Sequence, residues 1–273
     1  TGASGSSIWE QGHEMVFGTY ALADRYFVGF MDLIAQNGYR SVAVIHENNP
    51  FNRDAARGAV EWAGIMGLDV TADVEFDPTA DDFRDVIASV RSTRPDALVV
   101  CSYPEAGYSL LATMDRVAYR PLALAMTIVP IHPTFAERVG SQAEGVFGPS
   151  QWEPSERIPF PGTRRFVRKF RERYRMEPSY HAGSAYAACQ VIESGLEMIG
   201  GIDHDRLSAY IRTVDTVTII GRFKTDSAGR QVGHNPILIQ WQDGEKEIVF
   251  PLSMRTAPVR LPLPPTDQPG TGR

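Results

Sequence analysis

"SVAVIHENNPFNRDAARGAVEWAGIMGLDVTADVEFDPTADDFRDVIASVRSTRPDALVVCSYPEAGYSLLATMDRVAYRPLALAM", residues 41–126, decides the fold. It repeats one unit: a short apolar run, a polar or Pro-bearing turn, then a helical stretch. The apolar runs fall at 41–46, 69–76, 97–101 and 121–126, with a fifth at 145–147. They recur about every 25–28 residues, the length a βαβ crossover needs to return to a parallel sheet. The run at 97–101 is apolar at every position, as a strand covered on both faces should be. An open parallel sheet binds its ligand at the carboxyl ends of its strands. The segments that matter are therefore 46–51, 77–79, 102–105 and 127–130. They carry Asn, Phe, Ser, Tyr and Thr, with no glycine phosphate loop, metal-ligand cluster or nucleophile with its base. Those residue types suit a site that binds a small molecule without transforming it.

The intervening helices follow from caps and apolar stripes. Asn49-Pro50 starts one, with Pro in the first turn and Ala55, Ala59, Trp62 and Met66 facing inward. Thr79 with Asp82 starts the next, which buries Phe83, Val86, Ile87 and Val90. Pro104 opens a third over Leu110, Leu111 and Met114. Upstream, residues 24–36 align Phe27, Phe30, Met31 and Ile34, and Asn37-Gly38 closes that helix. Ser7 and Glu10 have capping-box spacing, Gly12 ends that short helix, and 14–19 reads as a short strand.

The grammar changes after Phe147. Residues 148–161 hold Pro149, Pro154, Pro159 and Pro161 and read as a linker or crossover. Helices are expected at 162–174 and 181–199, the latter burying Ala182, Ala185, Tyr186, Cys189, Ile192, Leu196 and Ile199. A shorter helix starts at Asp203 or Asp205 and ends near Arg212. Asp243-Gly244 between 236–241 and 247–250 is a hairpin signal. Residues 257–273 hold five prolines and few large hydrophobes, so a disordered or draped tail is expected. The helices of 162–212 have apolar faces but few strands nearby to cover. The pattern reads as though about a hundred residues of β/α units preceded Thr1.

Composition narrows the class. The chain has 273 residues, 43% hydrophobic and 22% charged, with a formal charge of −6. That is the profile of an ordinary globular protein, and it argues against a nucleic-acid partner, which wants a clustered basic face. The one basic run, Arg164 to Arg175, threads Phe166, Phe170 and Tyr174 at helical spacing and reads as an amphipathic helix with a solvated face. No apolar stretch reaches the roughly 18 residues that span a bilayer. The first residues carry no basic-then-apolar leader pattern. Cys101 and Cys189 are expected to be free, buried, small hydrophobes.

Three runs, "GSSIWEQGHEMVFGT", "VAVIHENNPFNRDAARGAVEWAG" and "DALVVCSYPEAGYSLLATM", resemble the type I periplasmic binding proteins. These are the solute receptors of ABC importers in the branched-chain amino acid and amide group. "VFGPSQWEP", "EPSYHAGSAYAACQVIESGLEMIGGID", "IIGRFKTDSAGRQVG" and "ILIQWQDGEKEIVFP" extend the resemblance over nearly all of residues 1–251. It implies an α/β fold of two Rossmann-like lobes with three crossovers, closing on a ligand, with lobe one incomplete in this chain. Residues 1–22 and 151–218 would belong to lobe one. Residues 23–150 and 233–255 would form lobe two, with 219–232 a crossover and 256–273 a Pro-rich tail.

The resemblance also implies a ligand site. Ala3 and Ser4, in a small-residue loop, would offer a hydroxyl and backbone N–H groups to a carboxylate or amide. Phe51 would stack on the ligand, and Tyr103 would present a hydroxyl-bearing ring. Tyr20 and Trp152, flanking crossovers, would wall the cleft. Thr127 stands where amino-acid-binding relatives often place an acid for the ligand's ammonium. A buried ammonium without a counter-charge is costly, so Thr127 shifts the expectation from amino acids towards amides and aromatic or aliphatic acids. No cofactor and no metal are implied. The expected protein is a monomer or weak dimer in the periplasm or outside the cell, delivering its solute to a membrane permease.

Two other readings remain open. One is a cytoplasmic ligand-sensing regulator of the same fold. The other is an α/β enzyme, for which His46 beside Glu47 is the strongest acid–base candidate; such a pair is more often a polar strand terminus. No histidine pair has metalloprotease spacing with a Glu, and there is no Gly-x-Ser-x-Gly elbow. "GASGSS" lacks the spacing of a dinucleotide fingerprint and the Lys of a P-loop.

Overall fold

A computed structural model describes residues 2–264. The chain divides into two compact units. Among the described residues, unit 1 comprises 2–25 and 150–237, and unit 2 comprises 26–149 and 238–264, so the chain passes between them three times.

Unit 2 is built from the repeat. Helix α1 (Val28–Gln36) leads into β1 (Ser41–Glu47), α2 (Pro50–Ile65), β2 (Asp69–Phe76), α3 (Arg84–Thr93) and β3 (Ala97–Cys101). Then come α4 (Pro104–Arg116), β4 (Ala123–Met126), α5 (Phe135–Val139) and β5 (Phe147–Ser150). β1, β3 and β4 are buried along most of their length, consistent with helices on both sheet faces. Asn49 caps α2 by accepting the Asn52 N–H at 3.0 Å, and Pro50 fills the first turn. α3 begins later than the Thr79–Asp82 signal implies. Asp77 accepts the Thr79 N–H and Asp82 the Arg84 N–H, so both acids close local turns ahead of the helix.

Unit 1 carries a 3-10 turn (Ser6–Gln11) closed by Gly12, then α6 (Thr163–Tyr174), α7 (Tyr180–Ile199) and α8 (His204–Thr213). Ser7 does not cap that turn; Gly5 occupies the position. A small hairpin, β6 (Thr216–Thr218) and β7 (Gly221–Phe223), follows. The chain then enters β8 (Ile237–Gln242) and β9 (Glu245–Phe250), whose turn holds Asp243 and Gly244 at φ 53° and 82°. The seven-stranded sheet has the order β2-β1-β3-β4-β5-β8-β9, parallel from β2 to β5 and antiparallel between β8 and β9.

Two further expectations are corrected in unit 1. Residues 14–19 are irregular. Gly18 donates its N–H to the Gly229 carbonyl, and just beyond the segment Ala21 makes a single bridge to Gln231, too little for a ladder. Cys189 is exposed. The cause is the rotation of α7, which buries Gly183, Ser184, Ala187, Val191 and Gly195 and leaves Tyr186 and Ile192 exposed. The small face wins because bulk meets it. The Trp152 ring lies on Gly183, and a Cβ on Gly195 would sit 2.4 Å from Leu207. Among the described residues of the tail, 256–264 are draped on unit 2. Thr256 bonds Ile248, Arg260 bonds Gln240, and Leu263 is buried and bonds Leu122. The rest of the tail lies outside the described residues.

Candidate functional site

The order β2-β1-β3-β4-β5 places a topological switch point between β1 and β3. β1 runs outward through α2 to β2, and β3 runs the other way through α4 to β4. Crevices at such points hold ligands, because the two loops leave in opposite directions. The β1 end leads to Phe51 in the first turn of α2, and the β3 end leads to Tyr103 at the N-cap of α4. Their rings pack together at 5.8 Å between centroids, tilted 31°. Tyr26 meets Phe51 edge-on at 5.7 Å, which makes a line of three rings. Phe51 is half-buried and Tyr103 is 45% exposed, so the last ring of the line faces solvent.

Polar groups behind the rings fix these loops. Glu47 is buried at 2% exposure. It accepts the Tyr103 N–H at 2.6 Å, the Asn49 amide at 2.7 Å and the Asn52 amide at 3.1 Å. Burial pushes its carboxyl above the usual range, while those three donors pull it back. Thr127 is fully buried. Its hydroxyl donates to the Ser102 carbonyl at 2.7 Å and accepts the Ser102 N–H at 3.0 Å. Residues 102–103 are thus held from the β4 side by Thr127 and from the β1 side by Glu47. Helix α4 comes close because residue 107 is glycine. A Cβ there would lie 2.6 Å from Val129 and 2.8 Å from the Ser102 hydroxyl.

His46 and Glu47 do not form an acid–base pair. Successive strand residues point to opposite faces. His46 turns to Asp73 at 3.6 Å and Glu75 at 3.8 Å on β2, and it touches Glu47 only at the backbone carbonyl.

In unit 1, Gly2 lies against Tyr20, close enough that a Cβ on it would meet the ring at 2.7 Å. Ala3 is half-buried. Ser4 is buried, and its carbonyl accepts the Ala23 N–H. The Tyr20 ring joins Tyr180 at 5.7 Å and His181 at 6.3 Å, at the start of α7. Burial lowers the His181 pKa and favours its neutral form. Trp152 is 1% exposed, with its ring against Gly183 and Phe166, so within its unit it is an interior group.

The sequence reading missed Glu47 as a buried clamp and Gln151 as a brace. The Gln151 amide accepts the Ala21 N–H at 2.9 Å and donates to the Ala21 carbonyl at 3.2 Å. It also missed Tyr180 and His181, although "SYHAGSAY" opens a helix beneath a Ser cap. A further groove of about 510 Å3 lies in unit 1, lined by Phe17, Val191, Ile192, Leu207, Ile211 and Phe223 among others. It is apolar and belongs to the open side of α7 and α8. Among the described residues, no cluster of His, Cys, Asp or Glu is arranged to hold a metal, and no helix is long and apolar enough to cross a membrane.

Residues 1–246 match the family model described as periplasmic binding protein. A Leu/Ile/Val-binding protein homolog 7 from Brucella suis is 24% identical over 230 residues, covering 81% of this chain and 57% of that protein. The chain thus spans little more than half the length of that relative. Among solved structures, a leucine binding protein from Thermotoga maritima superposes with a TM-score of 0.77 at 18% identity, covering 87% of this chain and 68% of that one. A solute binding protein of an ABC transporter from R. palustris, in complex with benzoate, gives 0.73 at 15% identity over 94% and 70%.

Proposed function

The chain belongs to the periplasmic binding protein family, and from that premise we propose that it is the solute receptor of an ABC importer. It captures a small polar organic solute, an amino acid, amide or aromatic or aliphatic acid, and delivers it to a membrane permease from the periplasm or cell exterior. Unit 2 contributes the rings of Phe51 and Tyr103. Within unit 1, taken by itself, the candidate groups are Ala3, Ser4 and Tyr20, with Trp152 in its interior, and within unit 2 Thr127 braces the segment that carries Tyr103. The observation that carries the reading is the Phe51–Tyr103 pair at the β1/β3 switch point, with Tyr103 open to solvent. An exposed ring stacked on a second, half-buried ring is a ready apolar wall for a planar or branched ligand. Thr127 brings no charge to the β4 end, which supports acids and amides over zwitterions. The relatives are named for leucine or hold benzoate.

A thermal-shift screen of the full-length protein against amino acids, amides and aromatic acids tests the reading. A true ligand raises the melting temperature by mass action. A well-folded protein that responds to none of these classes counts against it.

A further inference from the structure

We propose that Glu47 is the positioning residue of the aromatic face: its buried carboxylate ties the β1–α2 loop to the N-cap of α4 and thereby sets the Phe51–Tyr103 ring pair. The inference rests on the solute-receptor reading for its functional meaning, but the clamp itself is read from unit 2 alone.

The two rings sit on loops that the chain separates by about fifty residues, and no backbone ladder joins Phe51 to Tyr103. The β1–β3 ladder ends at the His46–Cys101 pair, and beyond it one carboxylate ties the two loops together. One oxygen of Glu47 accepts the backbone N–H of Tyr103, and the other accepts the side-chain amides of Asn49 and Asn52. Asn49 and Asn52 bracket Phe51, and Asn49 also caps its helix. All three partners are donors. Only an ionised carboxylate, an acceptor at both oxygens, satisfies them together. Protonation, or replacement by an amide, puts a hydrogen on one oxygen position and turns it towards a donor. Keeping the two asparagine bonds then sacrifices the single bond to Tyr103, because losing one bond costs less than losing two. The loop that carries Tyr103 is released on its β1 side, while Thr127 still holds Ser102 on the other.

Among the described residues, the other titratable groups around Glu47 are engaged elsewhere or buried. His46 beside it in β1 faces Asp73 and Glu75, and Arg53 of α2 is paired with Glu75. The Cys101 thiol of β3 is fully buried, and burial raises its pKa, with Asp73 and Glu47 adding to the rise. Burial and then Glu47 likewise raise the Tyr103 phenol. The carboxyl titrates above its ordinary 4.5, with burial the leading cause.

The test uses full-length protein labelled with 15N-tyrosine and protonated aromatic rings, as wild type and as Glu47→Gln, with leucine and benzoate as calorimetric probes. The wild-type Tyr103 amide is expected to shift on acidification with a midpoint above 4.5, and this arm needs no variant. In Glu47→Gln the amide resonance moves upfield, the Phe51–Tyr103 ring contact weakens, and affinity for the probe the wild type binds falls about tenfold. A Tyr103 amide that ignores pH in the wild type, or a ring contact and affinity unchanged in Glu47→Gln, overturns the proposal. Should the wild type bind neither probe while the variant still separates the rings, the clamp stands and the receptor reading loses its support.

Discussion

The hydroxyl of Thr127 and the backbone of Ser102 bond each other in both directions, at 2.7 and 3.0 Å, in a fully buried position. The bond locks the end of β4 to the end of β3, one residue before Tyr103. Thr127→Val keeps the shape and removes the hydroxyl, leaving the Ser102 N–H without its partner. The cost is about 1–3 kcal/mol of stability, read as a lower urea midpoint at unchanged slope. A midpoint equal to wild type would show that the hydroxyl is not holding this segment.

Tyr103 presents its ring beside Phe51 with nearly half its surface exposed. Tyr103→Ala is expected to weaken solute binding by about 1–3 kcal/mol while leaving stability close to wild type. Calorimetry on the full-length protein checks both, and undiminished affinity removes Tyr103 from the site.

Gly107 lets α4 approach β4. Gly107→Ala places a methyl 2.6 Å from Val129 and 2.8 Å from the Ser102 hydroxyl. Overpacking of this kind costs about 1–3 kcal/mol, although alanine is the better helix former. A variant more stable than wild type in a denaturant melt would contradict the close approach.

Hydrogen bonds from Arg222, with help from Lys224, hold the Asp215 carboxyl down to about 2 from its usual 3.8. A lowered carboxylate pKa stabilises the fold above the unfolded value, and that contribution disappears as pH falls through the folded value. Asp215→Asn therefore flattens the acid side of the melting-temperature profile between 3.8 and about 2. Parallel profiles for variant and wild type would show that this pair is not formed in solution.

The cysteines should differ sharply. Cys189 is exposed on α7, whereas Cys101 is fully buried in β3 and burial pushes its thiol up. One thiol per chain is expected to react with a water-soluble disulfide reagent in native protein, and two in denaturant. Loss of all native labelling in Cys189→Ser confirms which one.

Much of unit 2 was legible because its signals are local. Apolar runs a crossover apart, Asn49-Pro50 and Asp243-Gly244 each mark an element from a few adjacent residues. The strand-end segments that hold Phe51 and Tyr103 were legible for the same reason, whereas the roles proposed for the two rings rest on the family resemblance. Glu47 was not, because its partners lie two, five and 56 positions away, and nothing beside it in sequence reveals that burial. The face of α7 was misread because large apolar residues at helical spacing outweigh Gly183, Ala187 and Gly195 in any pattern. The partners Trp152 and Leu207, however, leave room only for the small residues.

By itself the sequence determined the strand–helix succession from β1 to β4, the Asn49 cap and the parallel arrangement, since period, turn chemistry and crossover length are properties of neighbouring residues. Only the tertiary structure decided which polar groups are already engaged. Thr127, Glu47 and Gln151 look equally available in the chain, and each finds its partner through a contact made only when distant segments pack. A hydroxyl or carboxylate is a ligand group or a brace according to what stands within three ångströms of it, and that distance is set by the fold.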